Sequence, residues 1–229
     1  NFFAKMLSRK GSAMLSAPDK RLASQAYEEI LKLIENGAAL PGEVVTERRL
    51  ADRLSMSRTP VRDALLMLEA EGLLIRQGSR GLQVKQMRIE EYLDALQIRL
   101  MLEPTVARLA AGKMSDADIE ELRTSLNGLL KETEAEADRA IVRSVDEALH
   151  GGLARAVGNQ QLAQIIQTLR RQTQMFDLRA MPERFEDTCQ EHLALLDAVQ
   201  SGDGEAAAKA MTAHLECVRD SIIAKLTRR

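Results

Sequence analysis

The sequence has no tryptophan, only two cysteines and 3% aromatic residues. A core without large rings is built from Leu, Ile, Val, Ala and Met, which is more typical of packed helices than of a β-sandwich. The two cysteines, Cys189 and Cys217, are too few for a disulfide framework, so we expect reduced thiols packed in a core. These absences argue against an all-β or disulfide-rich protein.

Long hydrophobic runs are also missing. No apolar stretch approaches the roughly 18 residues needed to span a bilayer. The segment NFFAKMLSRKGSAML at the start lacks the continuous apolar region of a signal peptide. We therefore expect a cytoplasmic protein without membrane contacts. Its 229 residues suffice for one large or two ordinary domains, since a domain has roughly 100–200 residues.

Charge is unevenly distributed along the chain. The total of 32 Lys and Arg against 34 Asp and Glu gives a net charge of -2, which by itself argues against a nucleic-acid-binding protein. Residues 1–88, however, carry 15 basic and 10 acidic side chains, a net +5, and residues 89–229 carry 17 and 24, a net -7. A basic N-terminal part and an acidic C-terminal part indicate two regions with different partners.

The basic part has the element order of a winged helix-turn-helix. Apolar spacing predicts a first helix over Lys20–Asn36, and Thr46 and Ser57 are positioned to cap two further helices. After Gly72 the segments LLIRQ and LQVKQ flank the turn residues GSRG, which predicts a β-hairpin. Three helices and a hairpin of this kind bind DNA with the third helix in the major groove.

The third predicted helix has a polar side and an apolar side. Arg58 and Arg62 are four residues apart and share one face, whereas Val61, Leu65 and Leu68 form an inward stripe. Basic side chains at the start of such a helix reach base edges and phosphates. The alternative is a solvated basic face without a partner.

The segment ALPGEVVTERRLADRLSMSRTPVRDALLMLEAEGLL resembles the DNA-binding part of the GntR family of bacterial transcriptional regulators. The resemblance rests on PG, E-x-x-LA, SRTPVR-AL, EGL and a glycine-bounded wing, and it covers residues 20–87. It implies operator contacts, to which the basic wing tip adds Arg80. The predicted DNA-binding residues are Arg48, Ser57, Arg58, Thr59, Arg62, Arg80 and Gly81.

Residues 89–229 show only helical patterns with short loops, which predicts about six helices in an antiparallel bundle. Polar residues interrupt the inward apolar stripes of three of these helices, namely Asp146 with His150, His192, and His214. Burying such groups unpaired costs several kcal/mol, and one divalent ion held by all four would compensate for it. The alternatives are hydrogen-bonded core histidines, or a Cys₂His₂ site that adds Cys189 and Cys217 to the two later histidines.

An acidic helical part behind a GntR-type head resembles the FadR-like branch, whose FCD effector domain carries an Asp-x-x-x-His pair and two later His as metal ligands. DEALH at 146–150, QEHLALLDAV and MTAHLECV fit this pattern. Three imidazoles and one carboxylate suit zinc, with nickel or another divalent ion as alternatives, and we expect a small carboxylate effector to bind this ion. Arg99 and Glu103 match its R-x-x-x-E element, either as effector contacts or as an ordinary i,i+4 ion pair.

These observations predict a mainly α protein with an N-terminal arm (1–19), a winged helix-turn-helix domain (20–87) and an all-helical FCD domain that binds ligand and dimerises (88–229). We expect a metabolite-responsive repressor that binds a palindromic operator as a homodimer, with the effector changing the spacing of the two heads. Two alternatives remain: a regulator with a purely structural metal, and a metal-dependent hydrolase.

Overall fold

The computed structural model describes residues 17–78, 81–133, 137–174 and 184–227, and the chain divides into two compact units between Lys85 and Gln86. The first unit contains α1 (Ala17–Glu35), β1 (Val44–Val45), α2 (Glu47–Leu54), α3 (Arg58–Ala70), β2 (Leu74–Arg76) and β3 (Leu82–Val84). The second contains α4 (Ile89–Ala110), α5 (Asp116–Leu129), α6 (Arg139–Ala156), α7 (Gln160–Gln174), α8 (Phe185–Gln200) and α9 (Gly204–Thr227). The predicted mainly α fold, with six helices in the second unit, is confirmed within these residues.

The two capping predictions in the first unit have different outcomes. The hydroxyl of Thr46 accepts a hydrogen bond from the backbone N–H of Arg49 at 3.3 Å and caps α2, as predicted. Ser57 occupies the residue before α3, but its side chain makes no capping hydrogen bond. The third residue of α3 is Pro60, which has no N–H to donate, so the usual partner of a capping serine is missing.

A small antiparallel sheet follows the helices of the first unit. β2 and β3 form the predicted hairpin, in which Leu74 faces Val84. The additional strand β1 pairs with the other side of β3, with Val44 opposite Gln83, so β3 is the central strand. The sequence did not reveal β1, because two residues are too few to show an alternating pattern.

Helix α3 is anchored to the first unit by its apolar side. Val61, Leu65 and Leu68 are buried, as the stripe predicted, and α3 packs against both α1 and β2. Ile30 of α1 is buried in the same unit. This packing leaves the opposite side of α3, which carries Arg58, exposed to solvent.

In the second unit α4 is the central helix and packs against α6, α7, α8 and α9. Its buried apolar residues include Tyr92, Leu96 and Val106, and the charged residues Arg99 and Glu103 are buried among them. The core therefore contains a polar region beside α4. No helix within the described residues combines the length and hydropathy that crossing a bilayer requires.

Candidate functional site

Four of the seven predicted DNA-binding residues line a groove on the first unit. The groove has a volume of about 350 Å³, and its lining includes Arg48 from α2, Arg58 and Arg62 from α3, and Gly81 before β3. Sequence reasoning did not identify Arg76 of β2, which lines the same groove and pairs with Glu69 through Nε at 3.0 Å and Nη2 at 2.7 Å.

The basic side chains of α3 are available to an external anion. Arg58 and Arg62 are exposed and form no ion pair with any described residue. Ser57 and Thr59 at the start of α3 are exposed as well. The wing tip residue Arg80 lies outside the residues that the structure describes, so its predicted contact stays a prediction.

Three buried histidines meet in the second unit. His150 of α6, His192 of α8 and His214 of α9 each offer one ring nitrogen, and these nitrogens lie within 4.8 Å of one another. Their ring centroids are 4.6–5.5 Å apart. Among the described residues, no other group of three or more His, Cys, Asp or Glu side chains has this arrangement. The arrangement can hold a metal ion.

Asp146, one helical turn before His150, adds a carboxylate to the group. Its Oδ1 atom lies 3.6 Å from Nε2 of His150 and 3.7 Å from Nε2 of His192. Both Nε2 atoms are buried and have no hydrogen-bond partner among the described residues. Such atoms are rare in native proteins, because each costs about 1–3 kcal/mol. A cation between the nitrogens and the carboxylate would satisfy them, so these residues fit a divalent metal.

Two further carboxylates orient the histidines. Oε2 of Glu103 is in direct contact with Nδ1 of His150, and Oε2 of Glu191 lies 2.8 Å from Nδ1 of His214. An ionised carboxylate can only accept a hydrogen bond, so in each pair the imidazole Nδ1–H donates. The lone pair then resides on Nε2, the atom that coordinates metal in carboxylate–histidine–metal arrangements.

The surroundings favour the protonation states that metal binding requires. Burial, together with the positive charge of Arg170, lowers the pKa of His150 to about 4. Burial and the neighbouring His214 likewise hold the pKa of His192 well below its ordinary value. Both imidazoles are therefore neutral at neutral pH, and the neutral form is the metal ligand.

The acidic groups stay ionised despite their surroundings. Burial by itself raises the pKa of the Asp146 carboxyl, but the groups around it, of which the guanidinium of Arg170 contributes most, together outweigh burial and hold this pKa below its ordinary value. The pKa of Glu103 is lowered in the same way, because Arg99, His150 and Arg170 together outweigh the effect of burial. Two buried arginines thus compensate the negative charges next to the histidines.

Arg99 and Glu103 form an ion pair, but not the solvent-exposed pair that is common at i,i+4 spacing. Arg99 Nε lies 2.6 Å from Oε1 of Glu103, and the two side chains are only 8% and 2% exposed. Arg99 also donates to the hydroxyl of Thr173 at 3.2 Å. Since the other oxygen of Glu103 contacts His150, the pair belongs to the surroundings of the histidine cluster.

Two residues of this site were missed in the sequence. Arg170 follows Ile166 on the inward stripe of α7 at i+4, with Thr173 three residues later, so a charged residue on an apolar stripe was the available signal. Glu191 has no comparable periodic signal, because its role depends on how α9 packs against α8.

The cysteines do not complete a second metal site. Cys189 is buried, and this burial raises the pKa of its thiol to about 11, which keeps it protonated. Cys217 is partly exposed. Neither belongs to the ligand group formed by the histidines, so the structure does not support the Cys₂His₂ alternative.

Comparison with known proteins identifies both units. Residues 94–216 match the family described as "FCD domain", and residues 22–84 match "Bacterial regulatory proteins, gntR family". The chain belongs to the GntR family. The "Probable D-xylose utilization operon transcriptional repressor" of Paenarthrobacter nicotinovorans is 31% identical to this regulator over 209 residues, which are 88% of this chain and 91% of that protein.

Solved structures share the fold of the chain. Escherichia coli McbR/YncC superposes on 94% of this regulator and 99% of its own chain, with a TM-score of 0.76 and 22% identity. The Zn²⁺-bound FCD domain of TM0439 covers 63% of this regulator and 99% of its own chain, with a TM-score of 0.52 and 23% identity. Its family membership and its curated relatives identify the protein as a DNA-binding transcriptional regulator rather than the metal-dependent hydrolase of the alternative.

Proposed function

We propose that this regulator holds a divalent metal ion through Asp146, His150, His192 and His214, and that a small organic acid bound at this ion controls operator binding. The observation that carries the proposal is the pair of buried, unpartnered Nε2 atoms facing Oδ1 of Asp146. Zinc is the first candidate because three imidazoles and one carboxylate suit it, with nickel as an alternative. The zinc-bound FCD domain of TM0439 supports this choice.

The charges of the site favour an anionic effector. A divalent ion with one carboxylate and three neutral imidazoles keeps a net charge of +1, which attracts the carboxylate of an organic acid. Arg99 and Glu103 are the candidate residues through which the bound acid is sensed. Glu103 supports this role because its carboxylate contacts both Arg99 and His150.

Operator binding is assigned to the basic side of the first unit. Arg58 and Arg62 are exposed and free of ion pairs with described residues, so they can reach base edges in the major groove. Arg48, Ser57 and Thr59 are assigned to nearby phosphates or bases. Arg80 and Gly81 are assigned to the wing contact by their position in the sequence.

We further propose that the regulator is a homodimer and that its operator is palindromic. One head contacts too few base pairs for high specificity, whereas a symmetric dimer reads two half-sites. An exposed apolar stripe on α4 supports dimer formation. Ile98, Met101 and Leu109 occupy positions i, i+3 and i+11, and they are 43%, 64% and 43% exposed.

A purely structural metal is the second candidate function. It is favoured by the burial of all three histidines, because structural zinc sites are closed to solvent. In that case the ion would stabilise the bundle, and no organic acid would alter operator binding.

One titration distinguishes the two functions. An operator is first selected from random DNA duplexes, and its affinity is then measured for metal-free, zinc-loaded, and zinc-loaded protein with each of a panel of organic acids. We expect one acid to change the affinity about 5–150-fold in the zinc-loaded form alone. Equal operator affinities in the presence and absence of an acid whose binding is demonstrated would exclude effector control.

A variant serves as the control for the titration. Replacing His192 and His214 together by Ala should remove the response to the acid while operator binding persists. An unchanged response in this variant, with normal folding, would show that the acid acts independently of the ion and would contradict effector control at the metal.

A further inference from the structure

The guanidinium of Arg170 is buried among the carboxylates that surround the histidine cluster. Arg170 is one of the largest fully buried side chains of the described chain, with 2% exposure. Burying a guanidinium costs several kcal/mol unless it is paired and hydrogen-bonded. Its position on α7 therefore requires compensating partners on the neighbouring helices.

These partners come from α4 and α6. Nη2 of Arg170 contacts Oδ2 of Asp146 directly and donates to the backbone carbonyl of the same residue at 3.2 Å. Nε donates to Oε2 of Glu147 at 3.2 Å, and Nη1 lies 4.0 Å from Oε2 of Glu103. One side chain thus connects the ligand Asp146 with Glu103, the carboxylate that orients His150.

The two oxygens of Asp146 consequently differ. Arg170 binds Oδ2, whereas Oδ1 faces Nε2 of His150 and Nε2 of His192 at 3.6 and 3.7 Å. A free carboxylate could rotate about its Cβ–Cγ bond. Because Arg170 holds both Oδ2 and the backbone carbonyl of Asp146, this rotation is opposed.

We propose that Arg170 is a positioning residue of the metal centre, which fixes the Asp146 carboxylate so that Oδ1 serves as the fourth ligand. The inference rests on the proposed metal site. It predicts that Arg170 contributes to metal affinity only through Asp146. Lysine cannot replace it, because a single ammonium does not span Oδ2, the carbonyl and Glu147 as the planar guanidinium does.

The test is a double-mutant cycle of the full chain with Co²⁺ as the probe. Affinity is measured by competition with a chelator, and the visible spectrum of Co²⁺ reports its coordination. We expect Arg170→Gln and Arg170→Lys each to lower Co²⁺ affinity about 10–100-fold, as is usual for residues that orient ligands. In an Asp146→Asn background the same replacements should change the affinity less than about 3-fold.

Arg123→Gln is the matched control. Arg123 forms a more exposed pair with Asp197, at 2.7 Å, in the same unit, and among the described residues it forms no ion pair with Asp146 or Glu103. This variant should bind Co²⁺ as the wild type does, and circular dichroism checks the folding of every variant. Arg170→Lys keeps the positive charge, so the test remains possible if Arg170→Gln does not fold.

The other outcomes have distinct meanings. An equal loss in both backgrounds would show that Arg170 acts through general stability, and unchanged affinity or failure of both variants to fold would also overturn the inference. If Asp146→Asn itself leaves Co²⁺ affinity unchanged, Asp146 is not a ligand and the inference is wrong. If the wild type binds no Co²⁺, the metal site itself is wrong, and this result is seen before any variant is compared.

Discussion

At the scale of single residues, His150 shows how the second unit prepares a ligand. The carboxylate of Glu103 accepts a hydrogen bond from the Nδ1–H group of His150. The unprotonated Nε2 atom of His150 therefore faces Asp146. Glu103 also neutralises Arg99, so one carboxylate has two partners. Loss of its charge should therefore affect stability as well as metal binding.

Replacing Glu103 by Gln should lower the free energy of unfolding of the metal-free protein by about 3–5 kcal/mol, because Arg99 would be left buried without its counter-charge. Denaturation by urea measures the change. Combining Glu103→Gln with Arg99→Met should recover part of the loss. Glu205→Gln is the control, since its pair with Arg108 is exposed and little change is expected. A similar loss of unfolding free energy in Glu103→Gln and Glu205→Gln would contradict this account.

A second prediction concerns operator specificity. Arg58→Ala should reduce discrimination between the operator and unrelated DNA by about 1–3 kcal/mol, because a bidentate arginine–guanine contact would be lost. Fluorescence anisotropy with both duplexes measures it, and metal binding should not change. Arg21→Ala removes the same charge from an exposed position of α1 and serves as the control. If both variants weaken binding to both duplexes equally, Arg58 contributes charge but no specificity.

At the scale of elements, α2 and α3 begin differently although both follow a hydroxyl residue. Thr46 caps α2, whereas Pro60 deprives Ser57 of the donor that a cap requires. Ser57 is exposed at the start of α3 and its side chain makes no capping hydrogen bond, which suits a residue assigned to DNA. The local sequence thus gives the hydroxyl of Thr46 a structural role and leaves the hydroxyl of Ser57 available for binding.

Thr46→Ala should lower the free energy of unfolding by about 1 kcal/mol, the usual cost of a lost helix cap. Ser57→Ala should change it by less than about 0.5 kcal/mol, since no capping bond is removed. Chemical denaturation of the full chain gives both values. Ser57→Ala should also lower the affinity for the operator, because Ser57 is assigned to DNA binding. A larger loss of stability for Ser57→Ala than for Thr46→Ala would contradict the structural difference.

At the scale of the whole molecule, the two units separate the two tasks of a regulator. The net positive charge lies with the winged helix-turn-helix, and the buried polar cluster lies in the acidic helical unit. In the proposed homodimer, control of DNA binding requires the second unit to affect how the two chains assemble. The exposed stripe on α4 is the surface through which we expect this to occur.

Met101→Asp should convert the proposed dimer into monomers, because a charge would be buried in the proposed apolar contact. Analytical ultracentrifugation measures the assembly state, and operator affinity should fall with it because paired half-sites need two heads. Ile141→Asp, at an exposed isoleucine of α6, is the control and should remain dimeric. A dimeric Met101→Asp variant would remove α4 from the interface, and a monomeric wild type would exclude the dimer itself.

Much of the fold was predictable from sequence because its signals are local. The helix periodicity, the cap at Thr46 and the hairpin turn each depend on a few neighbouring residues. The exceptions were also local: β1 is too short to show a pattern, and Pro60 removes a partner whose absence is visible only when the helix start is known.

The sequence by itself determined that Asp146 and three histidines face inward, because side-chain direction on a helix follows from spacing. Only the tertiary structure decided that they meet, and which side chains support them. Glu103 and His150 are 47 positions apart, Asp146 and Arg170 are 24 apart, and Glu191 and His214 are 23 apart. Contacts over such separations depend on how helices pack, and packing arises from all their side chains together rather than from any single pattern.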